Sequence, residues 1–130
     1  MVNDPIADLI IQLKNASMAK KPSVVLPYSE MKFTIAEILN KEGFLKSVSK
    51  KGKKVKKYLE MDLLYKDDRP RIKGVRRISK PGRRVYKKSS ELRPVRQGTG
   101  LLLLSTPSGV MTNRTARDSK VGGEALFEIW

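Results

Sequence analysis

Twenty of the 28 Lys and Arg residues fall between Lys46 and Arg96, opposed there by only five acids, and this localisation constrains the chain more than any other feature. Residues 1–45 carry five bases and five acids, and residues 97–130 carry three of each, so the formal net charge of +15 belongs to the middle. A field this large and this localised calls for a polyanion. The free energy of such a contact comes mainly from neutralising phosphates and releasing their counterions. The two neutral ends must then contribute something other than charge.

A chain of 130 residues makes one domain, or two small lobes, with length enough for a modest core. The absence of cysteine and histidine removes disulfides, thiolate chemistry, Cys/His zinc sites and any histidine base. The opening Met-Val-Asn-Asp-Pro lacks the charged and apolar sections of a signal peptide. The longest purely apolar run, Leu101–Leu104, is far short of a membrane span. Asn15-Ala16-Ser17 and Asn113-Arg114-Thr115 fit the glycosylation triplet, but without a secretion signal they read as chance. The expectation is a cytosolic, soluble protein with no cofactor, metal or membrane partner.

Asp4-Pro5 starts a helix, Asp4 as the cap and Pro5 where its missing N–H costs nothing. Ile6, Leu9, Ile10 and Leu13 then recur at helical spacing. Val24-Val25-Leu26 before Pro27 predicts a short edge strand. Ser29 caps a second helix with the stripe Met31, Ile35, Ile38 and Leu39, and Gly43 ends it. From Phe44 the period becomes two, with Leu59, Met61, Leu63 and Tyr65 on one face. Lys50-Lys51-Gly52-Lys53-Lys54 predicts the hairpin turn between these strands. The order α-β-α-β-β defines an N-terminal lobe over residues 1–68.

A second lobe, residues 69–130, opens at Arg69-Pro70 and is mainly β with one short helix. Ile72, Val75 and Ile78 lead to a Lys80-Pro81-Gly82 turn, and Arg84-Val85-Tyr86 returns as a strand. Ser89–Gln97 predicts a short helical turn and loop. Leu101–Leu104 has the continuous apolar character of a strand buried on both faces. Thr106-Pro107-Ser108-Gly109 is a turn, Thr112 caps a short helix through Ser119, and Ala125–Trp130 is a final strand. The fold class is α+β.

The seven lysines between Lys46 and Lys57, Lys53 and Lys54 among them, have no acid in their midst. As point charges they would add affinity for phosphate with little discrimination. Lys80, Arg83 and Arg84 flank the Pro-Gly turn, and Arg forks suit phosphate. Tyr86 is either ordinary strand core or a flat face on which an unpaired base stacks. Ser105, Thr106, Ser108, Gly109, Gly122, Gly123 and Glu124 form an almost uncharged tract. Its bland interpretation is a hydroxyl-rich turn and a tight loop. Its functional one is that glycines admit RNA to the backbone, hydroxyls address sugar, phosphate or base edges, and Glu124 accepts from a base amino group.

The chain resembles the small-subunit ribosomal protein family called S-eight, in its bacterial or organellar form. The match runs in order through Asp4-Pro5-Ile6-Ala7-Asp8, Lys41-Glu42-Gly43-Phe44, Arg77–Tyr86 and Ser105–Glu124 with its aromatic final strand. Pro107 and Ser108 depart from a common serine and basic residue, and Lys120 stands at a frequent glycine. The resemblance implies an α/β lobe and a mainly β lobe gripping a helix of small-subunit rRNA. It implies RNA contacts at Ser105, Thr106, the turn to Gly109, Tyr86 and Gly122-Gly123-Glu124. Implied partners are that rRNA, neighbouring small-subunit ribosomal proteins and, by the habit of some bacterial members, the messenger RNA of the chain's own operon.

Two other classes compete. A nonspecific nucleic-acid-coating protein would satisfy the basic middle but has no use for the neutral C-terminal tract. An enzyme acting on RNA would need a metal or base. Asp67-Asp68 reads as a solvated turn, and Glu124 and Asp118 have no evident nucleophile or base partner.

Overall fold

The computed structural model describes residues 4–53 and 55–130, and its chain divides into two compact units, one ending at Lys73 and the other beginning at Gly74. The fold is α+β, as expected.

In the N-terminal unit, α1 (Pro5–Met18) starts where Asp4 Oδ1 accepts from Ala7 N at 3.2 Å. Strand β1 (Ser23–Pro27) leads to α2 (Glu30–Lys41), whose cap Ser29 accepts from Lys32 N at 3.1 Å. Gly43, at φ +84, lets Phe44 N return to Leu39 O at 2.8 Å and close the helix. Strands β2 (Leu45–Lys53) and β3 (Lys56–Leu63) pair antiparallel, and β1 pairs on the other side of β3. A short hairpin follows, β4 (Tyr65–Lys66) with β5 (Arg69–Pro70). Asp67 and Asp68 turn it at φ +52 and +66, and Asp68 meets Lys20 in an exposed ion pair of 2.9 Å. The core is Leu9, Leu13, Ile35, Leu39, Phe44, Leu59 and Met61, all fully or almost fully buried. Lys32 is buried beside it, its ammonium donating to Asp8 Oδ2 at 3.0 Å.

The β2–β3 ladder corrects the hairpin expectation. It continues through Lys50↔Leu59, Lys51↔Tyr58, Gly52↔Lys57 and Lys53↔Lys56, so the chain reverses beyond Gly52 rather than over Lys50–Lys54. Lys54 lies outside the described residues. Exposed lysines extend a strand as readily as they make a turn once cross-strand partners hold them. Lys51 pairs with Glu60 at 2.7 Å, which raises the Lys51 pKa through that hydrogen bond and charge, and the Lys50 ammonium lies 4.8 Å from the Phe33 ring centroid.

The C-terminal unit is a mixed-length antiparallel sheet around β10 (Gly123–Ile129). On one side of β10 stands β8 (Leu101–Thr106), followed outward by β9 (Gly109–Thr112). On its other side, β6 (Val75–Arg77) pairs with Phe127–Ile129 and β7 (Tyr86–Lys87) pairs with Gly123–Glu124. A bulge at Leu126 lets β10 change partners. Ala125 N reaches Val85 O at 2.8 Å, while Leu126 O accepts from Ile78 N at 3.1 Å. The bulge also explains how Ala125, Leu126 and Phe127 are buried in succession. Leu101–Leu104 are all buried, as a strand covered on both faces requires. Helix α3 (Asn113–Asp118) is capped by Thr112, whose hydroxyl accepts from Thr115 N at 3.2 Å. It packs Ala116 with Leu92, Val95, Leu102, Leu104 and Ala125 in one cluster.

Candidate nucleic-acid interface

The register of β10 brings the dispersed candidate residues together. Glu124 lies opposite Tyr86 on one side and Ser105 on the other. Around this three-strand junction opens a groove of about 620 Å³, lined by Tyr86, Ser105, Pro107, Gly122, Gly123 and Glu124 together with Lys87, Lys88, Ser89 and Glu91. Tyr86 is 70% exposed, which decides between its two interpretations: it is not strand core.

Glu124 is the most constrained group in the groove. Its Oε2 accepts from Ser79 Oγ at 2.5 Å and from Arg84 Nη1 at 2.9 Å. Ser79 is fully buried and its hydroxyl also accepts from Val85 N at 3.1 Å, so one oxygen ties the 79–85 turn to β10. Burial pushes the Glu124 carboxyl up, but the bonds from Ser79 and Arg84 and the charges of Arg84 and Arg77 outweigh it and hold the pKa below the usual value. The carboxylate is therefore ionised at neutral pH and fixed in direction.

The hydroxyls divide into two kinds. Thr106 Oγ1 donates to Gly109 O at 2.7 Å and accepts from Ser108 N at 3.1 Å, so it builds the turn that carries Pro107 and Ser108. Gly109, at φ +111, takes the left-handed position this turn needs. Ser108 is exposed on that turn. Ser105 makes no side-chain hydrogen bond among the described residues, and it faces the groove.

The glycines are required by the protein's own backbone. A Cβ on Gly123 would run into Ser105 O, and one on Gly122 would stand 2.5 Å from Lys87 O. Their absence of side chains is what allows β7, β8 and β10 to converge beneath the groove.

The basic arms lie alongside. Lys80 and Arg83 exchange backbone bonds of 2.8 and 2.9 Å across Pro81-Gly82, and both side chains are exposed, as is Arg84, anchored to Glu124. Lys53 is exposed near the end of β2 in the N-terminal unit. The sequence motifs did not single out Ser79, which positions Glu124. Its one signal is a hydroxyl set immediately before a Pro-Gly turn.

The chain is thus a two-unit α+β protein with an aromatic, hydroxyl-bearing groove beside a basic turn. Residues 4–130 match the family model described as ribosomal protein S8, and the chain belongs to that family, one of structural ribosomal proteins and not of enzymes. It is 45% identical over 129 residues to the small ribosomal subunit protein uS8 of Dictyoglomus thermophilum, covering 99% of this chain and 98% of that one. It is 46% identical over 132 aligned positions to the same protein of Chloroflexus aggregans, with 99% and 98% covered. With that of Nitratidesulfovibrio vulgaris it shares 44% over 130 residues, the whole of both chains.

Proposed function

We propose that the chain is a constituent of the small ribosomal subunit that binds a helix of its rRNA directly and helps assemble the central domain, or platform. The single observation that carries this reading is the groove: Tyr86, Ser105 and Gly122–Glu124, distant in sequence, line one exposed cavity. In this reading Tyr86 stacks on an unpaired base, Ser105 offers an unengaged hydroxyl to a sugar or base edge, and the fixed Glu124 carboxylate accepts from a base amino group. Thr106, Ser108 and Gly109 hold the rim. Lys80, Arg83 and Arg84 face phosphates near that contact, and the lysines of β2 and β3 supply affinity that is blind to sequence.

Neighbouring small-subunit proteins and the messenger RNA of its own operon are the further partners of this reading, in a cytoplasmic or organellar ribosome. No helix among the described residues is long and apolar enough to cross a membrane. A coating protein is the weaker alternative, since coating needs no oriented carboxylate under an exposed tyrosine. Footprinting the purified protein on total small-subunit rRNA is the test. One protected, bulged helix is expected, and protection spread evenly along the RNA would favour coating instead.

A further inference from the structure

Folding undoes the charge partition of the sequence at one place. Arg114 and Arg117 belong to the neutral C-terminal end of the chain, yet α3 sets them with Arg93, from the basic middle, around a second cavity of about 510 Å³. Some arginines of the protein have structural partners: Arg84 holds Glu124, Arg71 stacks 3.9 Å from the Phe44 ring centroid, and Arg96 lies 3.9 Å from that of Trp130. Others, such as Arg69, Arg76 and Arg83, show no ion pair or ring among the described residues. Among the described residues Arg93, Arg114 and Arg117 have neither an ion pair nor a ring. The cavity's only acid is Asp118. Its wall is fixed by the buried Asn113, whose Nδ2 donates to Arg93 O at 2.9 Å and whose Oδ1 accepts from Leu102 N at 3.3 Å. Three exposed arginines thus line one concavity against a single acid, and guanidinium fork geometry favours the oxygens of a phosphate.

This cavity and the Tyr86 groove adjoin the same segment of chain. A smaller cavity of about 110 Å³, which also carries the carboxylates of Glu91 and Glu128, shares Lys87 and Glu91 with the Tyr86 groove, and shares Leu92, Arg93 and Pro94 with the arginine cavity. The segment from Lys87 to Pro94 is thus one continuous wall between the two.

We infer that the Arg93–Arg114–Arg117 cavity seats a backbone phosphate of the RNA strand that leaves the Tyr86 groove along the Lys87–Pro94 wall. The inference rests on the groove reading above for the identity of the RNA. A strand held at both ends gains affinity without new base recognition, because its second contact is intramolecular once the first is made. The site is therefore expected to read strand length and not sequence.

The experiment measures binding of the full chain to two RNAs, the minimal footprinted helix and the same helix with one strand extended by several nucleotides. The parent should bind the extended RNA about tenfold more tightly and with a steeper salt dependence by about one unit. Replacing Arg93, Arg114 and Arg117 together with Gln should abolish that increment while leaving the minimal helix bound within about twofold. Should the triple variant fail to fold, Arg114→Gln with Arg117→Gln, both exposed, serves instead. No increment in the parent, an increment retained in the variant, or equal loss on both RNAs would overturn the inference. Loss of binding to a neighbouring subunit protein with the RNA increment intact would assign the cavity to that protein and overturn it too. The groove reading fails separately: Tyr86→Ala would then leave the minimal helix unaffected.

Discussion

Ser79 and Glu124 share a 2.5 Å hydrogen bond across 45 residues of sequence, and that bond makes the groove's carboxylate a fixed acceptor. The Ser79 proton is committed to Glu124 because its oxygen already accepts from Val85 N. Glu124 therefore positions the 79–85 turn at the same time as it faces the groove.

Glu124→Gln is accordingly expected to lose stability. The neutral amide forfeits the charge-assisted bonds from Ser79 and Arg84, at a cost of about 1.5–3 kcal/mol in urea unfolding at neutral pH. The pH dependence has a definite sign. The folded carboxyl titrates below its unfolded counterpart, so its stabilisation is fully present above the usual glutamate range and is lost as pH falls through the depressed folded value. The stability difference between parent and variant should therefore shrink on acidification. A constant difference from neutral pH down to strongly acid conditions would contradict the assignment.

Lys120 stands at φ +57 where the end of α3 closes through Val121 N bonding to Ala116 O at 3.0 Å. That conformation costs a non-glycine residue about 1 kcal/mol. Lys120→Gly should raise the denaturation midpoint by a corresponding amount despite the added freedom of the unfolded chain, with RNA affinity little changed. A lower midpoint would show that the lysine side chain stabilises the helix end.

These two cases mark where the sequence was legible. Both long helices could be placed from Asp4, Ser29 and Gly43, because capping chemistry and the apolar stripes are local signals. Lys120 was visible as a departure from a familiar glycine, and its left-handed φ supplies the reason. The reversal of the β2–β3 hairpin was misplaced because Gly52, at φ +102, imitates a turn residue while pairing with Lys57 inside the ladder. The groove's members came from the family resemblance. Their division of labour did not, since the Thr106 turn bonds, the Ser79–Glu124 bond and the collision that forbids a side chain on Gly123 depend on strands that only tertiary pairing brings together.

The lysine ladder should act through charge alone. Replacing Lys53, Lys56 and Lys57 with Gln removes three exposed cations that form no ion pair among the described residues. Affinity for cognate and scrambled RNA should fall together, and the slope of log affinity against log salt should become shallower by up to about two to three units. An unchanged slope would place this hairpin away from the RNA.

Ser105 and Thr106 are adjacent hydroxyls with opposite engagements, and exchanging each for Ala separates recognition from support. Thr106 spends its hydroxyl on Gly109 O and Ser108 N, so Thr106→Ala should cost about 1 kcal/mol of stability and loosen the rim of the groove. Ser105 has no such bond among the described residues, so Ser105→Ala should leave the melting curve where it was. If its hydroxyl meets the rRNA, losing it strands the group opposite and costs roughly 1–3 kcal/mol of binding, about five- to 150-fold in Kd. Net charge is untouched, so the salt slope should stay that of the parent and scrambled duplex should bind as before. The measurement is a titration of each variant with the footprinted helix and a scrambled duplex at two salt concentrations. Unaltered cognate binding by Ser105→Ala would remove that hydroxyl from the recognition surface.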